Sequence, residues 1–111
     1  MMIEPDRMER AASQASRLLR TLANERRLMI LCQIAQGEKS VGELAELIGL
    51  DQSPLSQHLA RLRREKIVRT RRESQTIYYA LADKDTERLM ETLYDIYCTP
   101  AVAGAEFNDQ P

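Results

Sequence analysis

The chain of 111 residues contains no tryptophan, one phenylalanine, one histidine and two cysteines. A tetrahedral soft-metal site needs at least three good ligands close together, so this composition predicts no bound metal, and we expect no other cofactor. No apolar run approaches the length of a membrane span, and the opening MMIEPDRMER has no apolar core of a signal peptide. We therefore expect a cytoplasmic protein without membrane contact, whose thiols form no permanent structural disulfide.

The segment 40–64 has the pattern of two short helices joined by a tight turn. The first repeats apolar residues at helical spacing and ends at Gly49, and the second carries Leu55, Leu59 and Leu62 on one stripe. The other face of the second helix has short polar side chains at its start and arginines further along, where a solvated helix usually carries Glu/Lys pairs. These residues are Gln52, Ser53, Ser56, Gln57, Arg61 and Arg64. Such side chains suit base edges and phosphates in a major groove, so we predict binding to double-stranded DNA; the alternative is a plain helical hairpin.

The ends of the two helices are marked by capping residues. Ser40 and Glu43 have the spacing of a capping box. Asp51 is predicted to cap the second helix, with Leu50 and Leu55 as a hydrophobic staple.

A β-hairpin is predicted directly after the second helix. Residues 67–72 and 76–81 are rich in β-branched and aromatic side chains and are separated by a three-residue turn without glycine. A hairpin in this place would be a wing, with Arg71, Arg72 and Gln75 near its tip and close to the DNA backbone. The arginines could instead form an ordinary charged edge that discourages pairing with another chain.

The charge is unevenly distributed. The net charge is −1, whereas residues 52–79 contain seven basic and two acidic side chains, which leaves +5 in this segment and −6 in the remainder. A basic patch on an acidic molecule can bind phosphates while limiting non-specific adhesion.

Two further helices are predicted at the ends of the domain, over 6–22 and 83–98, each with an apolar stripe. The central helix, 25–36, already supplies much of the core of so small a chain. A two-fold interface between two copies would cover both stripes and would place two reading helices one turn of DNA apart. The alternative is that both stripes fold back onto a single monomer.

Several motifs together resemble the ArsR-type winged-helix repressors. They are LANERRL at 22–28, ELA at 43–45, QSPLSQHL at 52–59 and YAL at 79–81. The resemblance implies a mainly α-helical winged helix-turn-helix domain over 1–99 in the order α-α-α-α-β-β-α, with a flexible tail over 100–111. It further implies a homodimer held by its first and last helices, and a repressor that a chemical signal releases from operator DNA.

Cys32 and Cys98 are the candidate sensing residues. The residues alone favour the interpretation that they are two small buried hydrophobic side chains. The resemblance extends, however, to a branch of the family that represses sulfide-detoxification genes and has cysteines at these two places. It implies that persulfides or polysulfides join Cys32 to Cys98 and so release DNA. His58, the lone histidine, is expected to be a semi-buried structural residue.

Several alternatives remain open at this stage. One is a general oxidant sensor that forms a plain disulfide, and a weaker one is a metal-responsive repressor. An enzyme is not expected, because the chain has no Cys-x-x-Cys motif, no βαβ pattern and no general base near either thiol. A protein-interaction module that has lost DNA binding is opposed by the basic segment and the Gln/Ser face.

Overall fold

The computed structural model describes residues 1–98. The elements are α1 (Pro5–Leu22), α2 (Glu25–Ala35), β1 (Lys39–Ser40), α3 (Val41–Ile48), α4 (Gln52–Arg64), β2 (Val68–Glu73), β3 (Thr76–Leu81) and α5 (Lys84–Tyr97). The predicted class is confirmed: five helices with a small antiparallel hairpin, arranged as a winged helix-turn-helix. The predicted tail, 100–111, lies outside the described residues. None of the helices within 1–98 is long and apolar enough to cross a membrane.

The predicted order lacked one strand. Lys39 and Ser40 form β1, which pairs with β3 in the antiparallel register Lys39↔Tyr79 and Ser40↔Tyr78, so the sheet has the order β1-β3-β2. Two residues are too few to show a strand periodicity, which is why the sequence did not reveal β1. The pair Glu73↔Thr76 closes the hairpin, so the turn is shorter by one residue than predicted. Within this turn Ser74 adopts φ 59°. This is a left-handed conformation that glycine usually occupies, and the turn contains no glycine.

The core forms where the apolar stripes of the central helices meet. Its fully buried members include Ile30, Leu31, Leu44, Leu55, Leu59 and Leu62. The stripe predicted for the second helix of the helix-turn-helix is therefore confirmed, since its three leucines are all 0 % exposed. Burial of this face leaves the opposite face of α4 in solvent.

Local capping fixes how α3 and α4 meet. The Glu43 amide donates to Ser40 Oγ at 3.2 Å and the Ser40 amide donates to Glu43 Oε1 at 2.8 Å, which confirms the capping box. Gly49 ends α3 with φ 75°, a left-handed conformation that favours glycine. Asp51 stands at the N-cap of α4 as predicted, but its side chain makes no capping hydrogen bond.

Candidate DNA-binding surface and thiol pair

The polar residues predicted on the reading helix lie on one solvent-facing surface. Gln52, Ser53, Ser56, Gln57 and Arg64 are exposed. The first four lie on the first two turns of α4 and Arg64 lies at its end, all of them off the buried leucine stripe. Short amide and hydroxyl side chains in this arrangement can reach base edges when the N-terminal end of the helix enters a major groove.

Arg61 differs from these residues because it belongs to a polar network at the end of α4. Its Nε donates to Glu65 Oε2 at 3.0 Å, and the hydroxyl of Thr21 donates to the other carboxylate oxygen of Glu65. Arg27, buried in α2, donates from Nε to the carbonyl oxygen of Thr21 at 2.6 Å. The hydrogen bond from Thr21, and then that from Arg61, holds the pKa of Glu65 below its usual range. The network therefore ties α1 and α2 to the C-terminal end of the reading helix.

His58 lies on α4 beside the same network. It is half-buried, in agreement with the expected structural role. Burial lowers its pKa, and the positive charges of Arg27, Arg26 and Arg61 lower it further. Within residues 1–98, no group of three or more histidine, cysteine or acidic side chains is placed to hold a metal ion.

The two wing arginines have different surroundings. Arg71 donates from Nε to both carboxylate oxygens of Glu38, at 2.9 and 3.2 Å, and from Nη1 to Glu73 at 3.2 Å. Its guanidinium carbon lies 4.7 Å from the centroid of the Tyr78 ring. Hydrogen bonds to Glu38, and then to Glu73, raise the pKa of Arg71. The side chain of Arg72, by contrast, makes a single hydrogen bond within residues 1–98: its Nε donates to the Ser74 carbonyl oxygen at 3.2 Å.

Gln75 completes the set of predicted wing residues. It is exposed beside Ser74 in the turn of the hairpin. It therefore lies at the outer end of the wing, where the sequence placed it.

The two thiols lie on neighbouring helices, Cys32 on α2 and Cys98 at the end of α5. Both are free; Cys32 is half-buried in α2, and Cys98 is exposed at the C-cap of α5, where its amide donates to the Tyr94 carbonyl at 2.7 Å. Burial raises the pKa of Cys32, and the nearby Cys98 raises it further. Cys98 lies one helical turn beyond Tyr94, and Tyr94 lines the same cleft as Cys32.

A cleft opens beside Cys32. It has a volume of about 400 Å³ and is lined by Cys32, Ala35, Gln36, Met90, Glu91, Tyr94 and Asp95. A small molecule can therefore reach Cys32 along the groove between α2 and α5.

The terminal helices expose large apolar side chains. Those on α1 and α5 are Met8, Leu19, Leu89, Tyr94, Ile96 and Tyr97. Neither stripe is folded back completely onto the monomer, contrary to the alternative considered from the sequence. An apolar surface of this kind on a small domain marks an interaction site.

Sequence reasoning missed Thr21, Arg27, Glu65 and Glu38 as parts of the site. Two of them left a signal: Arg27 is a charged residue at helical spacing from Ile30, Leu31 and Ile34, and Glu65 has i, i+4 spacing from Arg61. Thr21 and Glu38 act through Glu65 and Arg71, which are distant in the chain.

The fold and the exposed face of α4 define a winged helix-turn-helix DNA-binding protein. The family model described as "Bacterial regulatory protein, arsR family" matches residues 24–70. The biofilm growth-associated repressor of Agrobacterium fabrum is 50% identical over 93 residues, covering 84% of this chain and 80% of the relative. The chain belongs to the ArsR family of bacterial transcriptional regulators.

Solved structures agree with this assignment. The transcriptional activator HlyU of Vibrio cholerae is 48% identical over 91 residues, which cover 82% of this chain and 84% of HlyU. A structure described as reduced HlyU superposes with a TM-score of 0.80 at 47% identity, covering 84% of this chain and 98% of that one. A winged helix-turn-helix DNA-binding domain from Mycobacterium bovis, described as homodimeric, has a TM-score of 0.72 at 34% identity and covers 86% of this chain and 89% of its own.

Proposed function

We propose that this regulator is a homodimeric repressor that senses reactive sulfur species through Cys32 and Cys98. Crosslinking of the two thiols releases operator DNA and derepresses genes for sulfide detoxification. The observation that carries the proposal is the placement of the only two cysteines of the chain on the contacting helices α2 and α5: Cys32 lines an open cleft, and Cys98 lies in solvent one turn beyond Tyr94, which lines the same cleft.

The crosslinking reaction needs only the thiols and a persulfide donor RSSH. The exposed Cys98, as thiolate, attacks the outer sulfur of the donor; RS⁻ leaves and Cys98 becomes a persulfide. Cys32 then attacks the sulfur bonded to Cys98 Cβ, expels HS⁻ and closes a disulfide. The two thiols are oxidised, and the sulfur taken from the donor is reduced to hydrogen sulfide.

A longer bridge forms when Cys32 has also been persulfidated. Its terminal sulfur attacks the Cβ-bound sulfur of the Cys98 persulfide, again expelling HS⁻, and the bridge contains three sulfurs. A plain disulfide demands Cα atoms within about 7 Å, and each added sulfur relaxes that requirement. The cleft beside Cys32 offers room for the added atoms.

The length of the bridge favours persulfides over peroxide as the signal. Peroxide oxidises two thiols only to a plain disulfide, which demands Cα atoms within about 7 Å, whereas a persulfide donor supplies extra sulfurs that lengthen the bridge. Burial raises the pKa of Cys32, which lowers its thiolate fraction and slows its reaction with either reagent. A general oxidant sensor that forms a plain disulfide is the competing proposal.

The DNA surface proposed for this function combines the reading helix and the wing. Gln52, Ser53, Ser56 and Gln57 read base edges, and Arg61, Arg64, Arg71, Arg72 and Gln75 contact the backbone. In a two-fold dimer held by α1 and α5, two such surfaces face one side of the duplex. Similarity to the biofilm growth-associated repressor of Agrobacterium fabrum supports the proposal that this protein represses transcription, whereas the similar HlyU is named an activator.

The test is the intact mass of the reduced protein after reaction with glutathione persulfide, beside a peroxide-treated sample. With the donor we expect a loss of two thiol hydrogens, accompanied by a gain of whole sulfur atoms when the bridge is longer than a disulfide, mapped to a Cys32–Cys98 bridge; with peroxide we expect little change. The same plain disulfide from both reagents would establish the general oxidant sensor. No modification by either would make the cysteines packing residues.

Cys32→Ser and Cys98→Ser variants test the link to DNA. Each should bind a duplex as the wild type does and remain bound after the donor is added, because no bridge can form. Fluorescence anisotropy of a labelled duplex measures this. Release of DNA from the persulfide-treated Cys32→Ser variant would refute the two-thiol mechanism.

A further inference from the structure

We propose that Arg71 is a positioning residue, which clamps the wing to the segment before α3, and that Arg72 makes the phosphate contact of this strand. The inference refines the DNA surface proposed above, in which both wing arginines were assigned to DNA from their sequence positions alone. It rests on that surface and not on the thiols.

The register of the hairpin separates the two arginines. Arg71 pairs with Tyr78 and Arg72 with Ile77, and neighbouring residues of a strand point to opposite faces. Arg72 shares its face with Val68, which is buried in the core where β2 packs against α4. Arg72 therefore lies on the side of the wing that faces the reading helix, and Arg71 lies on the other side.

Part of the Arg71 guanidinium is engaged within the protein. Nε is shared between both oxygens of Glu38, Nη1 is bound to Glu73, and one face of the guanidinium covers the ring of Tyr78. These three contacts fix the orientation of the side chain, and a phosphate that approached Nε or Nη1 would have to compete with two carboxylates. The planar fork of arginine, held on two carboxylates and an aromatic face, is suited to fixing geometry.

The clamp joins two parts of the domain that are far apart in the chain. Glu38 and Arg71 are 33 residues apart, and Glu38 directly precedes β1 and the capping box of α3. The pair therefore holds the outer half of the hairpin against the entrance to the helix-turn-helix. A wing held in one orientation loses less conformational freedom on binding DNA, which strengthens binding without any contact of its own.

The experiment compares five variants of the reduced full-length protein: Glu38→Gln, Arg71→Ala, Arg71→Lys, the double variant Glu38→Gln/Arg71→Ala and, as the matched control, Arg72→Ala. The probe is a labelled duplex selected by the wild type from a random-sequence library. Dissociation constants are measured by anisotropy over a range of salt concentrations. Each phosphate contact contributes about 0.9 to the slope of log K against log salt, so loss of one contact per protomer lowers a dimer's slope by roughly 1.8.

The clamp predicts that Glu38→Gln weakens binding roughly tenfold, about threefold for each wing, without changing the salt slope. Arg71→Ala and Arg71→Lys should weaken it similarly, since lysine keeps the charge and loses the fork. The double variant Glu38→Gln/Arg71→Ala should be no weaker than Arg71→Ala, because both changes remove one interaction. Arg72→Ala alone should lower the slope.

The proposal would be overturned if the changes in affinity and salt slope were the reverse of these. If Arg71 contacts phosphate, Glu38 competes with DNA for it, and Glu38→Gln then binds more tightly than the wild type. Arg71→Ala would lower the salt slope and Arg71→Lys would keep it. Because every measurement uses reduced protein, a failure of the sulfur-sensing proposal leaves these results unchanged.

Discussion

The expected dimer interface can be tested by a single substitution on α1. Leu19 is 58% exposed in the monomer, and complete burial of a leucine contributes ~2–3 kcal/mol. Burial of the exposed part therefore contributes about 1–2 kcal/mol for each copy, or roughly 2–4 kcal/mol for a two-fold dimer in which both copies bury it. Leu19→Glu loses this contribution and also places a carboxylate in an apolar interface, which adds a desolvation cost.

The dimer dissociation constant should thus rise by at least about 30-fold, since each 1.4 kcal/mol corresponds to a factor of ten. Sedimentation of the DNA-free protein over a range of concentrations measures this constant. Leu47→Glu is the matched control, because Leu47 is 54% exposed but lies on α3, outside the expected interface. An unchanged dimer in Leu19→Glu, or equal effects of both substitutions, would refute the assignment of α1 to the interface.

Two other predictions concern folding. Thr21→Val removes the hydroxyl that donates to Glu65, so it should lower the free energy of unfolding by about 1–2 kcal/mol relative to Thr21→Ser, which keeps the hydroxyl. Urea unfolding at one fixed protein concentration measures the difference, and equal stabilities of the two variants would contradict the prediction. His58 has a lowered pKa in the folded protein, so a proton binds His58 more readily in the unfolded chain. The contribution of His58 to the stability of the fold is therefore present above about pH 6.5 and is lost as the pH falls. His58→Gln should therefore lose less thermal stability than the wild type between about pH 7 and pH 5, and equal losses would show that His58 is not responsible.

Features that depend on near neighbours could be predicted from the sequence. The leucine stripe of α4, the Ser40–Glu43 capping box and the glycine that ends α3 each follow from spacings of three or four residues. These features suffice to define a helix-turn-helix. The hairpin is also local, and its strands were predicted to within one residue.

Contacts between distant segments could not be predicted in this way. Thr21 and Glu65 are 44 residues apart, and their hydrogen bond exists only because α1 crosses the end of α4. The count that gave +5 for residues 52–79 weighted all basic side chains equally. The structure instead pairs Arg61 with Glu65 and Arg71 with Glu38, and Glu38 lies outside the counted segment. Counting charges along a chain finds a basic region, but only the fold shows which cations remain available to phosphates.

The position of Cys98 links the proposed signal to the expected dimer interface. Cys98 follows directly after Tyr97 at the end of α5, and Tyr94, which accepts its amide hydrogen bond, both lines the cleft beside Cys32 and is 53% exposed. A bridge from Cys98 to Cys32 therefore acts on the same helical turn that offers apolar surface to a second copy. Two reading helices must be one turn of DNA apart to bind together, so a change in how the copies meet is enough to weaken binding. On this mechanism the thiols release DNA without approaching it.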